Sequence, residues 1–355
     1  MKDCAEKDKI DILSMFPEEI EQMLGNEPRF RVGQIFRWLS NGAGFEEMTN
    51  IPSSLRQKLA DTCVIRTPKI KKKLVSSIDG TIKYLLELCD GVCVEAVYMV
   101  YEHGNTLCVS SEVGCRMGCK FCASTKAGLL RNLTASEILG EVLAAEADTK
   151  TRISNIVMMG IGEPLDNFEN TVRFLRLISH PDGKNISLRH VSVSTCGIVP
   201  KIYELAELGL PITLSISLHA SNNKARGEIM PINSAYPIEA LMTACRDYFE
   251  ATGRRISFEY TLISGKNDSF EAADELAELL LRSMTAKDGA RQPVHVNLIP
   301  LNRVDGSAMS RPDKERVNAF QRRLCSRGVN ATVRRRLGPD IDAACGQLRI
   351  RDAEA

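Results

Sequence analysis

Residues 10–65 place apolar side chains at the three- and four-residue spacing of amphipathic helices. The pattern repeats over three stretches, at residues 12–24, 30–39 and 55–59. It predicts a compact helical unit at the start of the chain. The basic run at residues 69–73 follows this unit, and we expect the run to be a linker.

Residues 74–111 change to the shorter period of β-strands. Asp79-Gly80 and Asp90-Gly91 carry the turn signals of hairpins between these strands. Strands and helices then alternate to near the C-terminus. The candidate strands of this alternating region are 107–111, 155–160, 190–195, 212–218, 256–261, 294–300 and, as a further addition, 330–335.

Helix signals separate the candidate strands. Thr134 and Glu137 form a capping box before an apolar helical pattern. A second helix starts at 268–271, and a third covers 313–327 and stops at Gly328. About six such units predict a parallel sheet, most simply a full or partial barrel, with ligand sites at the carboxyl ends of its strands.

Three parts of the chain follow from these patterns. We expect a helical accessory domain over residues 1–70 and a β extension or linker over 71–103. The α/β core then covers 104–355 and ends in a segment that carries a cysteine.

Charge and composition narrow the functional classes. The chain has 355 residues, 26% of them charged, and a net charge of only +1. No overall field therefore draws this protein onto a polyanion. A nucleic-acid surface must be a local patch, such as 69–73 or Arg334, Arg335 and Arg336, and the alternative for either run is a solvated face.

The N-terminus and the cysteine content bear on the compartment. The first residues are charged and no apolar stretch is long enough to span a bilayer, so we expect a cytosolic protein with no membrane partner. In a reducing compartment the twelve cysteines favour metal or catalytic roles over a disulfide framework.

The most informative motif is a run of three cysteines, Cys115, Cys119 and Cys122, just beyond the first strand of the alternating region. Three thiolates leave one iron of a [4Fe-4S] cluster without a protein ligand, and an open coordination position can bind and activate a substrate. A structural zinc would need a fourth ligand close by, and no His or Cys follows closely. A redox pair would not use Cys115.

Further motifs occur in order along nearly the whole chain. They are EMT at 47–49, CVSS at 108–111, MMGIGEPLDN at 158–167, SVST at 192–195, SLHA at 217–220, MPIN at 230–233, NLIPLN at 297–302 and DIDAACGQL at 340–348. The cysteine loop, with Phe121 as its aromatic residue, resembles the signature of the radical S-adenosylmethionine (radical SAM) superfamily. With the other motifs, the chain resembles the family that methylates carbon 2 of adenine in large-subunit ribosomal RNA.

The resemblance implies an α/β fold, the radical SAM (β/α)6 partial barrel, with a small helical N-terminal domain and a β-hairpin extension. It implies a [4Fe-4S] cluster and two molecules of S-adenosylmethionine per turnover. The implied contacts with S-adenosylmethionine are Gly162, Glu163, Ser194, Ser217, Leu218, His219 and Asn302. From the residues alone, Glu163 fits an exposed turn carboxylate equally well, and His219 fits an ordinary polar residue at a strand end.

Three catalytic roles are also implied by the resemblance. Cys345 accepts a methyl group, and the resulting methylene radical adds to the adenine as a covalent protein–RNA adduct. Cys108 then attacks the Cys345 sulfur and releases the product as a disulfide forms. Glu95 accepts the ring proton. Without the resemblance, Cys345 fits a buried apolar filler and Glu95 fits an outward carboxylate on an amphipathic strand.

The implied partners are 23S ribosomal RNA, transfer RNA beside the anticodon, and an electron donor such as flavodoxin, with the protein acting as a monomer. The helical unit is then an RNA-holding domain, or alternatively a stabilising cap. The other cysteines match no motif and are interpreted as core fillers or incidental thiols: Cys4, Cys63, Cys89, Cys93, Cys196, Cys245 and Cys325.

Three rival functions share some of these features. The nearest is the related group that methylates carbon 8 of the same adenine and confers antibiotic resistance. Within the resemblance, Pro164 and Pro300 favour the carbon-2 group. A non-catalytic RNA-binding module does not account for Cys345 with Cys108. A radical enzyme for a small molecule or peptide does not account for the terminal motif and the N-terminal unit.

Overall fold

The N-terminal unit is built from three helices, as the apolar spacing predicts. The computed structural model describes residues 9–286, 289–304, 306 and 308–348. The helices are α1 (Pro17–Leu24), α2 (Arg29–Ser40) and α3 (Ser53–Thr62), flanked by the short paired strands β1 (Ile10–Asp11) and β2 (Cys63–Val64). Ile20, Ile35 and Leu59 are almost completely buried, so the predicted apolar faces form the core of this unit.

Four antiparallel strands follow the helices. They are β3 (Lys69–Val75), β4 (Ile82–Glu87), β5 (Cys93–Tyr101) and β6 (Gly104–Cys108). The predicted turns lie between them, with Gly80 at φ +73° and Gly91 at φ +84°. The expectation of a linker at 69–73 is wrong, because this run pairs along β4 as an edge strand. Exposed lysines suit such an edge because their charges oppose pairing with another chain.

The alternating region has the predicted order. Its remaining strands are β7 (Glu112–Gly114), β8 (Leu129–Asn132), β9 (Asn155–Met158), β10 (Val191–Thr195), β11 (Thr213–Ser217), β12 (Ile256–Leu262), β13 (His295–Pro300) and β14 (Asn330–Val333). Its helices are α4 (Ala135–Thr149), α5 (Phe168–Ser179), α6 (Val199–Glu207), α7 (Asn223–Ile229), α8 (Ile238–Thr252), α9 (Phe270–Ser283) and α10 (Lys314–Ser326).

The helix starts follow the capping signals. Thr134 accepts a hydrogen bond from the Glu137 amide, and Glu137 accepts one from the Thr134 amide, which confirms the capping box of α4. The cap of α9 is Ser269, one residue beyond the predicted start at 268. Gly328, at φ +86°, follows the end of α10 as predicted.

One large sheet joins the two β regions. Its ten strands lie in the order β14-β13-β12-β11-β10-β9-β6-β5-β4-β3, and all neighbours from β6 to β14 are parallel. Six strand–helix units therefore precede β14, and the sheet has free ends at β14 and β3, which confirms the (β/α)6 partial barrel. The carboxyl ends of the parallel strands meet at one edge, where a ligand site is expected.

Among the helices that the structure describes, none combines the length and the apolar character that a membrane span requires.

Candidate active site

The cysteine loop follows β7 and is held by backbone hydrogen bonds. The amide of Cys115 donates to the carbonyl of Gly128 at 3.0 Å, and the amide of Cys122 donates to the carbonyl of Cys119 at 3.1 Å. The Thr125 hydroxyl donates to the Cys122 carbonyl at 3.1 Å. These bonds define the shape of the loop.

All three cysteines of this loop line one cavity at the carboxyl ends of the parallel strands. The cavity contains about 910 Å³ of space, part of it open to solvent. Burial raises the pKa of Cys119 to about 12 and also raises the pKa of Cys115 and Cys122. Binding of iron by these thiols therefore has to release their protons.

The arrangement of the thiols bears on which metal group they suit. Across the described residues, no three Cys, His, Asp or Glu side chains converge closely enough to hold a single metal ion. A [4Fe-4S] cluster instead takes its cysteines on different iron atoms. The three thiols on the wall of one cavity are the number of protein ligands that leaves one iron of such a cluster open.

The loop at Gly162 and Glu163 forms the next part of the wall. Gly162 has φ +109°, and a Cβ built there would lie 2.6 Å from Ser111 Oγ, so this position requires glycine. Glu163 is buried, and its two oxygens accept hydrogen bonds from the Cys196 amide at 2.7 Å and the Leu165 amide at 3.1 Å. The alternative of an exposed turn carboxylate is therefore wrong for Glu163.

Four of the other predicted cofactor contacts also face this cavity: Ser194, Ser217, His219 and Asn302. The side-chain oxygen of Asn302 is buried without a hydrogen-bond partner among the described residues, so it is available to a ligand donor. Leu218 is fully buried and does not line the cavity, although its carbonyl accepts a hydrogen bond from Arg226 Nε at 3.2 Å.

His219 is a neutral hydrogen-bond acceptor at the end of β11. Its Nδ1 accepts a hydrogen bond from the Thr261 amide at 2.9 Å, and its ring packs edge-to-face on Phe121 at a centroid distance of 4.8 Å. Burial lowers the pKa of His219 to about 3. The imidazole therefore stays uncharged at neutral pH beside the cysteine loop.

Cys345 and Cys108 lie close enough for the charge of one to affect the other. Cys345 is partly exposed on the cavity wall, and its carbonyl accepts a hydrogen bond from Asn302 Nδ2 at 3.1 Å. Cys108 is buried at the end of β6; burial raises its pKa to about 12, and the neighbouring Cys345 thiol adds to the rise. Both cysteines are free thiols in this structure.

Glu95 lies on β5, outside the lining of this cavity. Its side chain is 1% exposed, so the alternative of an outward carboxylate on an amphipathic strand is wrong. Its Oε1 atom lies 3.2 Å from Nζ of Lys83, which is equally buried. A buried carboxylate of this kind requires a paired charge, and Lys83 provides it.

The same motifs occur in proteins of known family. Residues 109–279 match the model of the radical SAM superfamily, and residues 10–65 match that of the ribosomal RNA large subunit methyltransferase N-terminal domain. The chain is 50% identical to a probable dual-specificity RNA methyltransferase RlmN of Alkaliphilus oremlandii, over 96% of this chain and 98% of the relative. It is 49% identical to the protein of that name from Bacillus velezensis, over 97% and 94%. This chain belongs to the RlmN family of radical SAM RNA methyltransferases.

A solved structure supports the family membership. A crystal structure of a radical SAM methyltransferase from Sphaerobacter thermophilus aligns with a TM-score of 0.87 and 42% identity, and covers 96% of this chain and 99% of that chain. The superfamily implies a [4Fe-4S] cluster and S-adenosylmethionine as cofactors. The thiol-lined cavity and the unpartnered Asn302 oxygen fit this pair of ligands.

The cavity also contains residues that sequence reasoning missed. Cys196, interpreted as a core filler or an incidental thiol, lines the cavity directly after β10. Its position just beyond the carboxyl end of a predicted strand was the feature of the sequence that could have indicated this. Arg226 is fully buried and donates to the Cys196 carbonyl at 2.6 Å. Glu259 and Arg334 complete the opposite wall. Cys4, another cysteine that matches no motif, lies outside the described residues.

A second, smaller cavity adjoins the Cys345 side of the first. Arg311, Arg334, Arg335 and Arg336 all line it together with Cys345. Cys345 is the chief cause that raises the pKa of Arg334. Cys345 therefore shares this cavity with four arginines.

Proposed function

We propose that this protein methylates carbon 2 of a specific adenine in 23S ribosomal RNA, and of the adenine beside the anticodon in transfer RNA. The observation that carries the proposal is that Cys345 shares one cavity with Cys115, Cys119 and Cys122. A methyl-carrying cysteine and a radical-generating cluster must lie this close to act in one reaction. The dual-specificity RNA methyltransferases to which the chain is similar support both RNA substrates.

The bound cofactors would supply a methyl cation equivalent from one S-adenosylmethionine and a hydrogen-abstracting radical from a second. The cluster is held by Cys115, Cys119 and Cys122. S-adenosylmethionine would contact the chain along the wall formed by Gly162, Glu163, Ser194, Ser217, His219 and Asn302. Leu218 lies between Ser217 and His219 with its side chain buried in the core, and its amide and carbonyl are already bonded to Glu259 and Arg226, so it supports this wall without a direct contact.

The remaining steps belong to three residues of the chain. Cys345 accepts the methyl group and carries it to the adenine, forming the covalent adduct. Glu95 accepts the ring proton, which requires its carboxylate to gain access to the cavity when RNA is bound. Cys108 must first lose the proton that its burial retains; its thiolate then attacks the Cys345 sulfur, so that a disulfide forms, the bond from that sulfur to the methylene carbon breaks, and the carbon takes up a proton to become the methyl group of the product.

The RNA has to be remodelled for the adenine to enter the cavity. A base inside folded RNA must be extruded before chemistry on its ring is possible. The four arginines beside Cys345 suit the phosphates that flank the extruded base, and the helical N-terminal unit with β3 holds the surrounding RNA. A flavodoxin as electron donor, a monomeric state and a cytosolic location complete the proposal.

The deciding experiment is mass spectrometry of ribosomal and transfer RNA from a strain that lacks this protein. We expect 2-methyladenosine to be absent from both RNAs and to return when the protein is restored. Restoration of Cys345→Ala is the matched control and should return none. If the main product is 8-methyladenosine, the protein belongs to the rival group. If the 2-methyladenosine content of transfer RNA is the same with and without the protein, transfer RNA is not a substrate.

A further inference from the structure

The segment that carries Cys345 has no regular secondary structure in the described part of the chain. Residues 338–348, here called the Cys345 segment, form turns and extended backbone. A reactive sulfur on such a segment needs anchors from elsewhere, because loops without a helix or strand open locally at low free-energy cost. The anchors therefore determine where the sulfur lies.

One set of anchors comes from the strand edge and the cysteine loop. The Ala123 amide donates to the Gly346 carbonyl at 2.8 Å, next to the bond between Asn302 and the Cys345 carbonyl. A second set comes from the β3–β4 turn, where Ser76 Oγ donates to Asp340 at 2.6 Å. The Cys345 segment is thus held at both of its ends.

Lys83 on β4 makes the anchor between these two ends. Its Nζ donates to the carbonyl of Asp342 at 2.9 Å, three residues before Cys345. The same nitrogen lies 3.2 Å from Glu95 Oε1. Lys83 and Glu95 are 2% and 1% exposed, so water does not compete for either contact.

We propose that Lys83 is a positioning residue that holds the Cys345 segment and the Glu95 carboxylate in one arrangement. The roles of Cys345 and Glu95 in this inference rest on the proposed function. One ammonium group with three donors can satisfy a carboxylate and a carbonyl together, whereas a buried lysine with neither would be strongly unfavourable. The β extension thus acts as a dock for the reactive cysteine.

The first test is hydrogen–deuterium exchange of the anaerobic, cluster-loaded protein with Lys83→Met. Loss of one charge-assisted hydrogen bond should raise amide exchange in the Cys345 segment on the order of tenfold, with helices α4 and α5 unchanged. Lys184→Met is the control, because Lys184 forms a partly enclosed ion pair with Glu146, and neither residue lines a cavity that contains Cys345. This control should leave exchange of the Cys345 segment unchanged. Unchanged exchange in Lys83→Met would overturn the proposal.

The second readout separates positioning from general damage. In Lys83→Met, the number of 5′-deoxyadenosine molecules released per adenine methylated should rise by about ten- to a hundredfold, because misplacing a reacting group by about an ångström can cost about a hundredfold in rate. Lys83→Arg, which keeps the charge and the donors, should return the ratio towards wild type. A loss of stability alone would lower both products together and leave the ratio unchanged, which would also refute positioning.

Two further variants keep the outcomes distinguishable. If Lys83→Met is not recovered folded, Lys83→Gln replaces it, with the exchange increase expected in the same segment. Cys345→Ala reports on the proposed function separately. RNA methylation that persists without Cys345 refutes that function. Methylation that depends on Cys345, with unchanged exchange in the Lys83 variant, refutes the anchoring role alone.

Discussion

Replacing Gly162 by alanine should destabilise the protein through two separable effects. The first is backbone strain, because φ is +109° at this position and L-residues rarely adopt such angles. The second is crowding. A Cβ there would lie 2.6 Å from Ser111 Oγ and 2.7 Å from Glu112 Cβ, and the Glu112 atom is fixed to its backbone and cannot rotate away.

The two effects have different magnitudes. A residue other than glycine at positive φ costs about 1–2 kcal/mol, and overpacking a buried position costs typically a further 1–3 kcal/mol. Gly162→Ala should therefore lower the free energy of unfolding by roughly 2–5 kcal/mol. The displaced loop carries Glu163, so the affinity for S-adenosylmethionine should fall as well.

Gly91→Ala is the control that isolates the strain. Gly91 has φ +84°, and a Cβ there would meet nothing within 4 Å. We expect this variant to lose only the roughly 1–2 kcal/mol of strain and to bind S-adenosylmethionine normally. The assays are urea unfolding followed by circular dichroism and equilibrium dialysis with the cofactor. Equal losses of stability in the two variants would refute the crowding argument.

Three other predictions concern the cysteines and His219. Cys119→Ala should lose the brown [4Fe-4S] absorbance and the cleavage of S-adenosylmethionine. A fully loaded cluster in this variant would show that Cys119 is not a ligand of the cluster. Cys108→Ala should accumulate a nuclease-sensitive covalent RNA adduct on denaturing gels while Cys345→Ala forms none; normal multiple turnover by Cys108→Ala would contradict the release step. Burial lowers the pKa of His219 to about 3 from 6.5, so its contribution to stability is present above pH 6.5 and is lost as the pH falls, by about 2 kcal/mol between pH 8 and pH 5. His219→Gln should lessen this pH dependence of urea unfolding by that amount, and an identical pH profile would show that the imidazole titrates normally.

Local patterns in the sequence predicted most of the architecture. The helical spacing before residue 65, the turn signals at Asp79-Gly80 and Asp90-Gly91, and the Thr134 capping box all act over a few residues, so their outcome hardly depends on the rest of the chain. The strand–helix alternation then leaves few possible topologies, because the crossover connections between parallel strands are almost always right-handed. The cysteine loop is local in the same sense.

The edge strand β3 shows where local patterns are insufficient. Three lysines in a row match a solvated linker as well as they match a strand. Pairing with β4 decides between the two, since it satisfies the backbone groups of the run that face β4 while the charges remain in water. That pairing depends on the partner strand and is not a property of the run itself.

The surroundings of the candidate catalytic groups were decided by tertiary structure alone. Lys83 and the Asp342 carbonyl are 259 residues apart in the chain, and no spacing rule connects them. Glu95 has the sequence pattern of a half-exposed strand, yet its side chain is 1% exposed and paired with the equally buried Lys83. Burial and charge pairing depend on which distant segments pack together, and residue spacing encodes only what neighbours along the chain do. The sequence therefore determined which residues could react, and the fold decided how they are held.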